Sequence, residues 1–324
     1  MEANLFLRAD LRHLVALDLV VRERSFARAA VRLGYTQSAV SQQIAALERA
    51  AGARLLERPR GRGIVEPTEA GTVVLRHAER IVAALRAADA DLRALAAGET
   101  GALRVGTFQS VGMSILPTLL GRYRSSWPQI EVALVESNSP VELLDQVEQG
   151  ELDLTFAAPP LRDGPFDVEE LMVDPYILLV RRDSPLARRP TPPRLRELVE
   201  LPLIGFRSPL AHGAEAHLHA RGIAPRFVFR SDESGTVQGL VASGFGVAIL
   251  PWLTINEADP AVRVVELGGL IPPRRIVLVR HAERYCSPAV SAFQALARDV
   301  CAELSRAREV RPRGRPRSPK RPRR

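Results

Sequence analysis

The chain has 324 residues, 46% hydrophobic and 25% charged, a balance that excludes wholesale disorder and fits roughly two or three folded domains. The formal net charge is +8, but the last fourteen residues alone contain seven Arg, one Lys and no acidic residue. The rest of the chain balances 37 basic against 37 acidic side chains, distributed as +3 over residues 1–70, zero over 71–100 and −3 over 101–310. The overall charge therefore indicates a basic tail and not a basic folded surface.

The sequence gives no sign of a secreted or membrane protein. Its two cysteines, Cys286 and Cys301, are too few for a disulfide framework, match no zinc motif and indicate thiols in a reducing cytosol. No basic stretch leads into an apolar run at the N-terminus, as a signal peptide would require. The longest uncharged run, 235–256, is better explained by a helix, a glycine turn and a buried strand than by a membrane span. We expect a soluble, cytoplasmic protein with no membrane partner.

The first fifty residues predict three helices that end in a helix-turn-helix. Asp10, Ser25 and Thr36 each stand where a helix N-cap is expected, and Gly34 stands between the second and third helices. Two helices joined by a short turn that contains glycine are the helix-turn-helix arrangement. The third helix should bury a stripe formed by Val40, Ile44 and Leu47.

The opposite face of the third helix carries uncharged polar residues on its first two turns. They are Thr36, Gln37, Ser38, Ser41 and Gln42. A merely solvated helix face usually carries Glu, Lys and Arg, whereas Gln can pair with adenine in the major groove and Ser can bind bases or phosphates. We predict a DNA-recognition face here, with an ordinary polar surface as the alternative.

A basic segment follows the third helix. Between residues 54 and 62 four Arg and one Glu surround a glycine, which predicts a β-hairpin wing directed at phosphates or the minor groove. The candidate contacts are Arg58, Arg60 and Arg62. A flexible basic loop is the alternative.

Residues 10–71 together resemble the DNA-binding region of the LysR-type transcriptional regulators. The motifs that carry the resemblance are Ser25-Phe26-Ala27-Arg28-Ala29-Ala30, Gln37-Ser38-Ala39-Val40-Ser41-Gln42-Gln43-Ile44, Leu47-Glu48, Gly52, Arg54-Leu55-Leu56-Glu57-Arg58 and Thr68-Glu69-Ala70-Gly71. Two positions depart from the family pattern: Pro67 replaces the usual Leu, and Gln42 stands where many members carry Arg. The second departure exchanges a charged contact for a neutral one and changes the bases expected at that step.

A long helix is predicted from Thr68 to about Ala97, as a linker between domains. Its apolar residues are spaced alternately by four and three, which is the seam of a coiled coil, with charged residues outside it. The seam consists of Val74, Ala78, Ile81, Leu85, Ala88, Leu92 and Leu95. A helix packed on its own domain is the alternative and would need a wider apolar face. The seam predicts a homodimer, and the resemblance adds that such dimers commonly pair into tetramers.

The body of the chain alternates strands and helices. Strands are expected at Leu103–Thr107, Glu131–Glu136 and Asp153–Ala157, with helices at Val111–Tyr123 and Val141–Gln149 between them. A second series of strands and helices follows between residues 176 and 250. The resemblance implies a two-lobed effector domain similar to a type 2 periplasmic binding protein, with the chain returning to the first lobe through 287–304.

The predicted fold class is therefore α/β, with an all-α winged helix-turn-helix domain, a long linker helix and a two-lobed α/β effector domain. The expected boundaries are 8–67 for the DNA-binding domain, 68–97 for the linker and 103–304 for the effector domain. Lobe I is expected at about 103–170 and 272–304, and lobe II at about 171–271. Residues 309–324 are expected to form a disordered basic tail.

Ligands of open α/β sheets bind at the carboxyl ends of the strands, where helix N-termini supply free N–H groups. Four loops meet this condition, and their candidate effector-binding residues are Thr107, Gln109, Ser110, Ser137, Asn138, Ser139, Phe206, Arg207, Ser208 and Ser234. Ser139 and Glu142 are also placed to form a capping box, so Ser139 and Ser234 have a purely structural alternative. Arg207 favours a small anion such as a carboxylate, whereas Asp232 and Glu233 would suit an amine.

No motif for catalysis or for a cofactor is found, so we expect neither an enzyme nor a bound cofactor. His212, Glu215, His217 and His219 are the only metal-like cluster, and their spacing fits a solvated helix better than a metal site.

The basic tail contains Arg313-Gly314-Arg315-Pro316, which resembles the AT-hook core that lays Arg side chains in an A·T minor groove. A non-specific basic arm and an inert solubilising tail are the alternatives.

These features favour a DNA-binding transcriptional regulator with a small-molecule effector, and with RNA polymerase as a further partner if it activates. A constitutive DNA-organising protein that depends on its tail is the second possibility, and a solute-binding protein is the third.

Overall fold

The computed structural model describes residues 9–57, 64–97, 101–189, 191–207 and 213–310, and the chain divides into two compact units, Met1–Arg93 and Ala94–Arg324. The side chains of part of 80–101 are not described. The first unit contains α1 (Leu11–Glu23), α2 (Phe26–Leu33), α3 (Gln37–Ala51), β1 (Leu56–Glu57), β2 (Glu66–Pro67) and α4 (Glu69–Ala97). Strands β1 and β2 pair antiparallel, with Leu56 opposite Pro67.

The predicted helix ends of the first unit are confirmed. The side chain of Asp10 accepts a hydrogen bond from the Arg12 N–H, that of Ser25 from the Arg28 N–H and that of Thr36 from the Ala39 N–H. Gly34 ends α2 with a φ of +68°, a left-handed conformation that glycine adopts without steric cost. These caps fix the turn between α2 and α3.

One apolar core joins the three helices, the strand pair and the start of α4. Its buried members include Leu17 of α1, Ala30 of α2 and the predicted stripe of α3, which is Val40, Ile44 and Leu47. Leu55 and Val65, on either side of the strand pair, and Ala78 of α4 complete it. Because its buried face is fully used in this core, α3 presents its other face to solvent.

The second unit begins with β3 (Gly101–Thr107), α5 (Gln109–Ser114), α6 (Leu116–Ser126), β4 (Ile130–Glu136), α7 (Pro140–Gln149), β5 (Leu154–Ala157) and β6 (Phe166–Asp174). It continues with β7 (Tyr176–Arg181), α8 (Leu195–Glu200), β8 (Leu203–Phe206), α9 (Gly213–His219), β9 (Phe227–Ser231), α10 (Ser234–Ser243), β10 (Ala248–Pro251), β11 (Val262–Glu266), β12 (Arg274–His281) and α11 (Pro288–Val310). Short 3₁₀ turns lie at Pro185–Arg188 and Trp252–Thr254.

Two lobes make up this unit. Lobe I has a five-stranded sheet in the order β4-β3-β5-β12-β6, in which β3 pairs parallel with β4 and β5, and β12 pairs antiparallel with β5 and β6. Lobe II has a three-stranded antiparallel sheet, β10-β7-β11, and the parallel pair β8-β9, linked by a bridge between Leu203 and Val247. Each lobe has its own apolar core.

Several predicted elements differ from the structure. The single helix expected over Val111–Tyr123 is two helices, because the break at Ile115 lets Pro117 lie in the first turn of α6, where its missing N–H costs little. Strand β6 stays in the lobe I sheet to Asp174, beyond the boundary expected near residue 170. Helix α11 extends to Val310, beyond the end expected at residue 304, so residues 309 and 310 are helical and not part of a disordered tail. None of the described helices combines the length and the apolarity that crossing a bilayer requires.

Candidate functional site

The polar face of α3 is accessible. Gln37, Ser38 and Gln42 are exposed and Ser41 is half-buried. All four lie in the first two turns of α3, just after the Thr36 cap. The Thr36 and Ser38 hydroxyls lie 3.0 Å apart and can share a hydrogen bond. Because these side chains lie opposite the buried stripe, they are free to approach the floor of a DNA groove.

The strand pair is tied to α3 and α4 through backbone groups. One carboxylate oxygen of Glu48, on α3, accepts hydrogen bonds from the Leu55 and Leu56 N–H groups at 2.9 and 3.4 Å. The Thr68 hydroxyl donates to the Arg54 carbonyl at 2.7 Å and accepts from the Gly71 N–H at 2.9 Å. The first strand of the pair therefore has a fixed place relative to α3.

Gly71 is required at this junction. A Cβ atom on residue 71 would lie 1.9 Å from the Leu55 carbonyl oxygen, a distance that no real contact allows. The last residue of the Thr68-Glu69-Ala70-Gly71 motif thus lets α4 pass against the wing strand. Arg58, Arg60 and Arg62, the predicted wing contacts, and Arg313, Gly314, Arg315 and Pro316 of the tail lie outside the described residues.

The predicted seam of α4 has two parts. Ala78 is buried in the core of the first unit, and Val74 packs against that core. Ile81, Leu85, Ala88 and Leu92 are exposed, and the side chain of Leu95 is not described. The exposed part of the predicted seam therefore begins at Ile81.

A small cleft lies between the lobes of the second unit, with about 210 Å³ of empty volume including its opening to solvent. It is lined by Phe108, Gln109, Ser110, Asn138, Phe206, Thr254 and Arg274. Four of these residues, Gln109, Ser110, Asn138 and Phe206, were expected from the sequence. They follow β3, follow β4 or end β8, so the strand ends do meet at one place.

Arg274, which the sequence reasoning missed, is the one charged side chain among the described residues that line this interlobe cleft. Its Nε donates to Oδ2 of Asp174 at 2.8 Å and its Nη2 donates to the Ser110 hydroxyl at 2.6 Å. Oδ1 of Asp174 accepts from the Leu253 N–H at 3.1 Å. Burial raises the pKa of the Asp174 carboxyl above its ordinary value, and the charge of Arg274 opposes that shift.

The remaining predicted effector residues have other partners. The Ser139 hydroxyl accepts from the Glu142 N–H at 3.3 Å, but the reciprocal bond of the predicted capping box is absent among these residues. Instead, the Ser137 hydroxyl donates to Glu142 at 2.6 Å and accepts from the Ser139 N–H at 3.1 Å. The buried hydroxyl of Ser234 donates to the sulfur of Met113 at 3.4 Å. Thr107 is buried, and its hydroxyl has no partner in the described part of the chain.

Arg207 lies near the cleft without lining it. Its guanidinium is exposed, donates to the Arg230 carbonyl at 3.2 Å and lies 3.7 Å from a carboxylate oxygen of Asp232. Ser208 lies outside the described residues. At the edge of the cleft the Gln109 amide of lobe I donates to Glu233 of lobe II at 3.0 Å. Arg207 therefore lies beside an exposed carboxylate of the chain itself, that of Asp232.

Arg274 could have been identified from the alternation of buried and exposed residues along its strand. Arg274 lies on the same buried face of β12 as Ile276 and Leu278. Asp174 likewise lies on the same buried face of β6 as Met172. A charged residue on the buried face of a strand needs a charged partner, and such pairs are candidates for a functional site.

Over the described residues no group of three or more His, Cys, Asp or Glu side chains is placed to hold a metal ion. His217 lies 3.1 Å from the Leu270 carbonyl, and Glu215 accepts two hydrogen bonds from Arg230, while His212 is outside the described residues. Both cysteines are free thiols, and burial raises the pKa of Cys301 to about 12.

A winged helix-turn-helix, a long helix and a two-lobed α/β domain with a polar cleft define a DNA-binding regulator with an effector-binding domain. Comparison with protein families agrees. The model for the bacterial regulatory helix-turn-helix of the lysR family matches residues 11–72, and that for the LysR substrate binding domain matches residues 96–302. The chain belongs to the LysR family of transcriptional regulators and is a DNA-binding member with an effector-binding domain.

Individual relatives extend over nearly the whole chain. The regulator IlvR of Caulobacter vibrioides is 32% identical over 80% of this chain and 88% of its own, and YcgK of Bacillus subtilis, an uncharacterized regulator, is 30% identical over 86% and 91%. Among solved structures, a full-length OxyR variant from Pseudomonas aeruginosa has a TM-score of 0.63 at 23% identity, covering 90% of this chain and 94% of its own. CbnR in complex with its target DNA has a TM-score of 0.59 at 24% identity, covering 90% and 99%. These structures share the fold.

Proposed function

We propose that this regulator binds a pseudo-palindromic DNA site as a homodimer, and that a small anionic effector in the interlobe cleft modulates this binding. The dimers pair into tetramers, and the protein contacts RNA polymerase if it activates transcription. The observation that carries the DNA part is the exposed, uncharged polar face of α3 opposite a fully buried apolar stripe.

Side-chain chemistry supports Gln37 and Gln42 as base contacts and Ser38 and Ser41 as base or phosphate contacts. A glutamine amide can donate to and accept from adenine at once, which gives a preference of about 1–3 kcal/mol for the right base. Arg58, Arg60 and Arg62 of the wing would add contacts to phosphates, which fix the register but carry no sequence information. The tail would add either minor-groove or non-specific contacts.

The exposed apolar residues of α4 support the dimer. Ile81, Leu85, Ala88 and Leu92 continue a seam with heptad spacing and remain accessible in the single chain. A two-fold symmetric dimer formed through this helix has two α3 helices, one for each half-site. The half-sites would lie one helical turn of DNA, or about 34–36 Å, apart.

The test selects bound fragments from sheared genomic DNA of the source organism and measures their affinity in a gel-shift assay at several salt concentrations. Replacing Gln37 or Gln42 by Ala should weaken binding to the selected fragment about tenfold and leave binding to random duplex unchanged. Arg49→Ala, in the last turn of α3, is the matched control and should have little effect. In parallel, Leu85→Glu should give monomers in sedimentation experiments and protection of single half-sites.

Equal affinity of the wild type for selected and random duplex would contradict the proposal and favour a constitutive DNA-organising protein. Dimers of Leu85→Glu would contradict the assignment of the seam.

A further inference from the structure

Arg274 is a buried cation whose place in the interlobe cleft is fixed on two sides. Its side chain is only 6% exposed and that of Asp174 is fully buried. Asp174 is the last residue of β6 and Arg274 the first of β12, and the two are register partners where both strands leave lobe I. The ion pair is thus part of the connection between the lobes, and its hydrogen bonds hold the guanidinium at the cleft.

This guanidinium still has capacity to bind. Within the described residues Nε donates to Asp174, and Nη2 donates to Ser110 and also lies 2.7 Å from Oδ2 of Asp174, which leaves the two donors on Nη1. The free donors lie on one nitrogen, so they can bind a carboxylate oxygen without the two-nitrogen fork, and the weak hydration of the guanidinium lowers the cost of that contact. A ligand carboxylate would therefore meet donors that are already oriented.

The other lining residues restrict the body of the ligand. Phe108 and Phe206 are buried aromatic side chains, and Asn138 and Gln109 carry neutral amides. The Thr254 hydroxyl already donates to the Pro251 carbonyl at 2.6 Å. The described lining residues suit a compact apolar group and include no second cation.

Charge limits the ligand further. Because Asp174 neutralises Arg274, one bound carboxylate leaves the cleft with a single net negative charge, and a second carboxylate would have no partner among the described lining residues. The nearby Arg207 lies beside Asp232 and is exposed.

We propose that Arg274 binds the charged group of the effector and that the effector is a small monocarboxylate with an apolar body. This inference rests on the proposed function, in which the cleft holds a small anion, and it assigns the charge to Arg274 in place of Arg207. Asp174 and Ser110 act as positioning residues for the guanidinium.

The test measures binding to the full chain by titration calorimetry with two probes, hexanoate and cyclohexanecarboxylate, and with their primary amides, which have nearly the same shape but no charge. The variants are Arg274→Lys, which keeps the charge but loses the planar donors, and the double variant Asp174→Asn with Arg274→Gln, which keeps a neutral hydrogen-bonded pair. Arg275→Gln is the matched control, because Arg275 is next in the chain, is exposed and pairs with Glu170. Urea unfolding of each variant verifies that it folds.

At least one carboxylate should bind the wild type, with its amide about tenfold or more weaker, since hydrogen bonds between charged groups are stronger than those between neutral groups. Arg274→Lys should weaken the carboxylate about tenfold, the double variant should bind carboxylate and amide alike, and Arg275→Gln should match the wild type. The inference is overturned if neither carboxylate binds the wild type, if carboxylate and amide bind it equally, or if the double variant still prefers the carboxylate.

A DNA footprint taken with and without the probe separates this inference from the proposed function. A carboxylate that binds through Arg274 and leaves the footprint unchanged supports the inference and contradicts the ligand response. A footprint that responds to a carboxylate equally in wild type and double variant supports the response and overturns the role of Arg274.

Discussion

On α3 the polar residues expected at DNA lie within a few positions of one another, are mostly exposed and have few partners, with Thr36 and Ser38 bonded locally. In the cleft, Ser110, Asp174 and Arg274 come from distant parts of the chain, are buried and bind one another. The first surface is specified by a single helix, so its side chains can be exchanged without disturbing the fold. The second depends on three segments meeting, so its side chains also stabilise the domain.

The largest effect expected from this difference is that of Asp174→Ala. It leaves a buried guanidinium without its charged partner, and breaking a buried pair in this way costs about 3–5 kcal/mol. Urea unfolding followed by circular dichroism should show the loss in the second unit. Glu303→Ala, which removes an exposed ion pair with Arg122 in the same lobe, should leave the unfolding curve almost unchanged. Similar curves for both variants would mean that the cleft residues do not support the fold.

A smaller loss of stability is expected in the first unit, where folding depends on a close backbone contact and not on the side chains expected to contact DNA. Gly71→Ala places a Cβ against the Leu55 carbonyl and should destabilise the first unit by about 2 kcal/mol while displacing the wing. Gly121→Ala in α6 is the control, because nothing lies within 4 Å of the added atom and alanine favours a helix. We would measure urea unfolding and DNA affinity together. Unchanged affinity in Gly71→Ala would show that the wing is not needed for binding.

The two regions also differ in how far the sequence predicts them. Helix α3 and its buried face were predicted from local signals. These are the Thr36 cap and the i, i+4, i+7 stripe of Val40, Ile44 and Leu47, and both are confirmed. The seam of α4 follows only in part, since periodicity identifies an apolar stripe but not the neighbour that covers it. Val74 and Ala78 pack in their own unit, in the apolar core that also contains Leu55 and Val65.

Four of the predicted residues line the cleft, whereas Arg207 does not line it and Arg274, which was not predicted, does. Arg207 follows β8 in a polar loop and is conspicuous in the sequence, yet Asp232 lies beside it. Arg274 begins a strand that the alternation of strands and helices did not reveal, and its partner Asp174 lies one hundred residues earlier in the chain. Burial and long-range pairing decide which charge is available to a ligand, and neither is a local property.

The smallest expected effect is at the edge of the cleft, where Glu233 accepts from the Gln109 amide. Glu233→Gln removes a negative charge one hydrogen bond away from a lining residue, so hexanoate should bind about twofold more tightly, the size expected for an exposed charge interaction. The gain should vanish at high salt, because exposed charges are screened there, whereas the tenfold loss in Arg274→Lys should largely persist. Glu303→Gln, an exposed charge paired with Arg122, serves as the control and should leave hexanoate binding unchanged. A gain from Glu233→Gln that survives high salt would mean that this carboxylate competes with the ligand inside the cleft, in contact with the same groups.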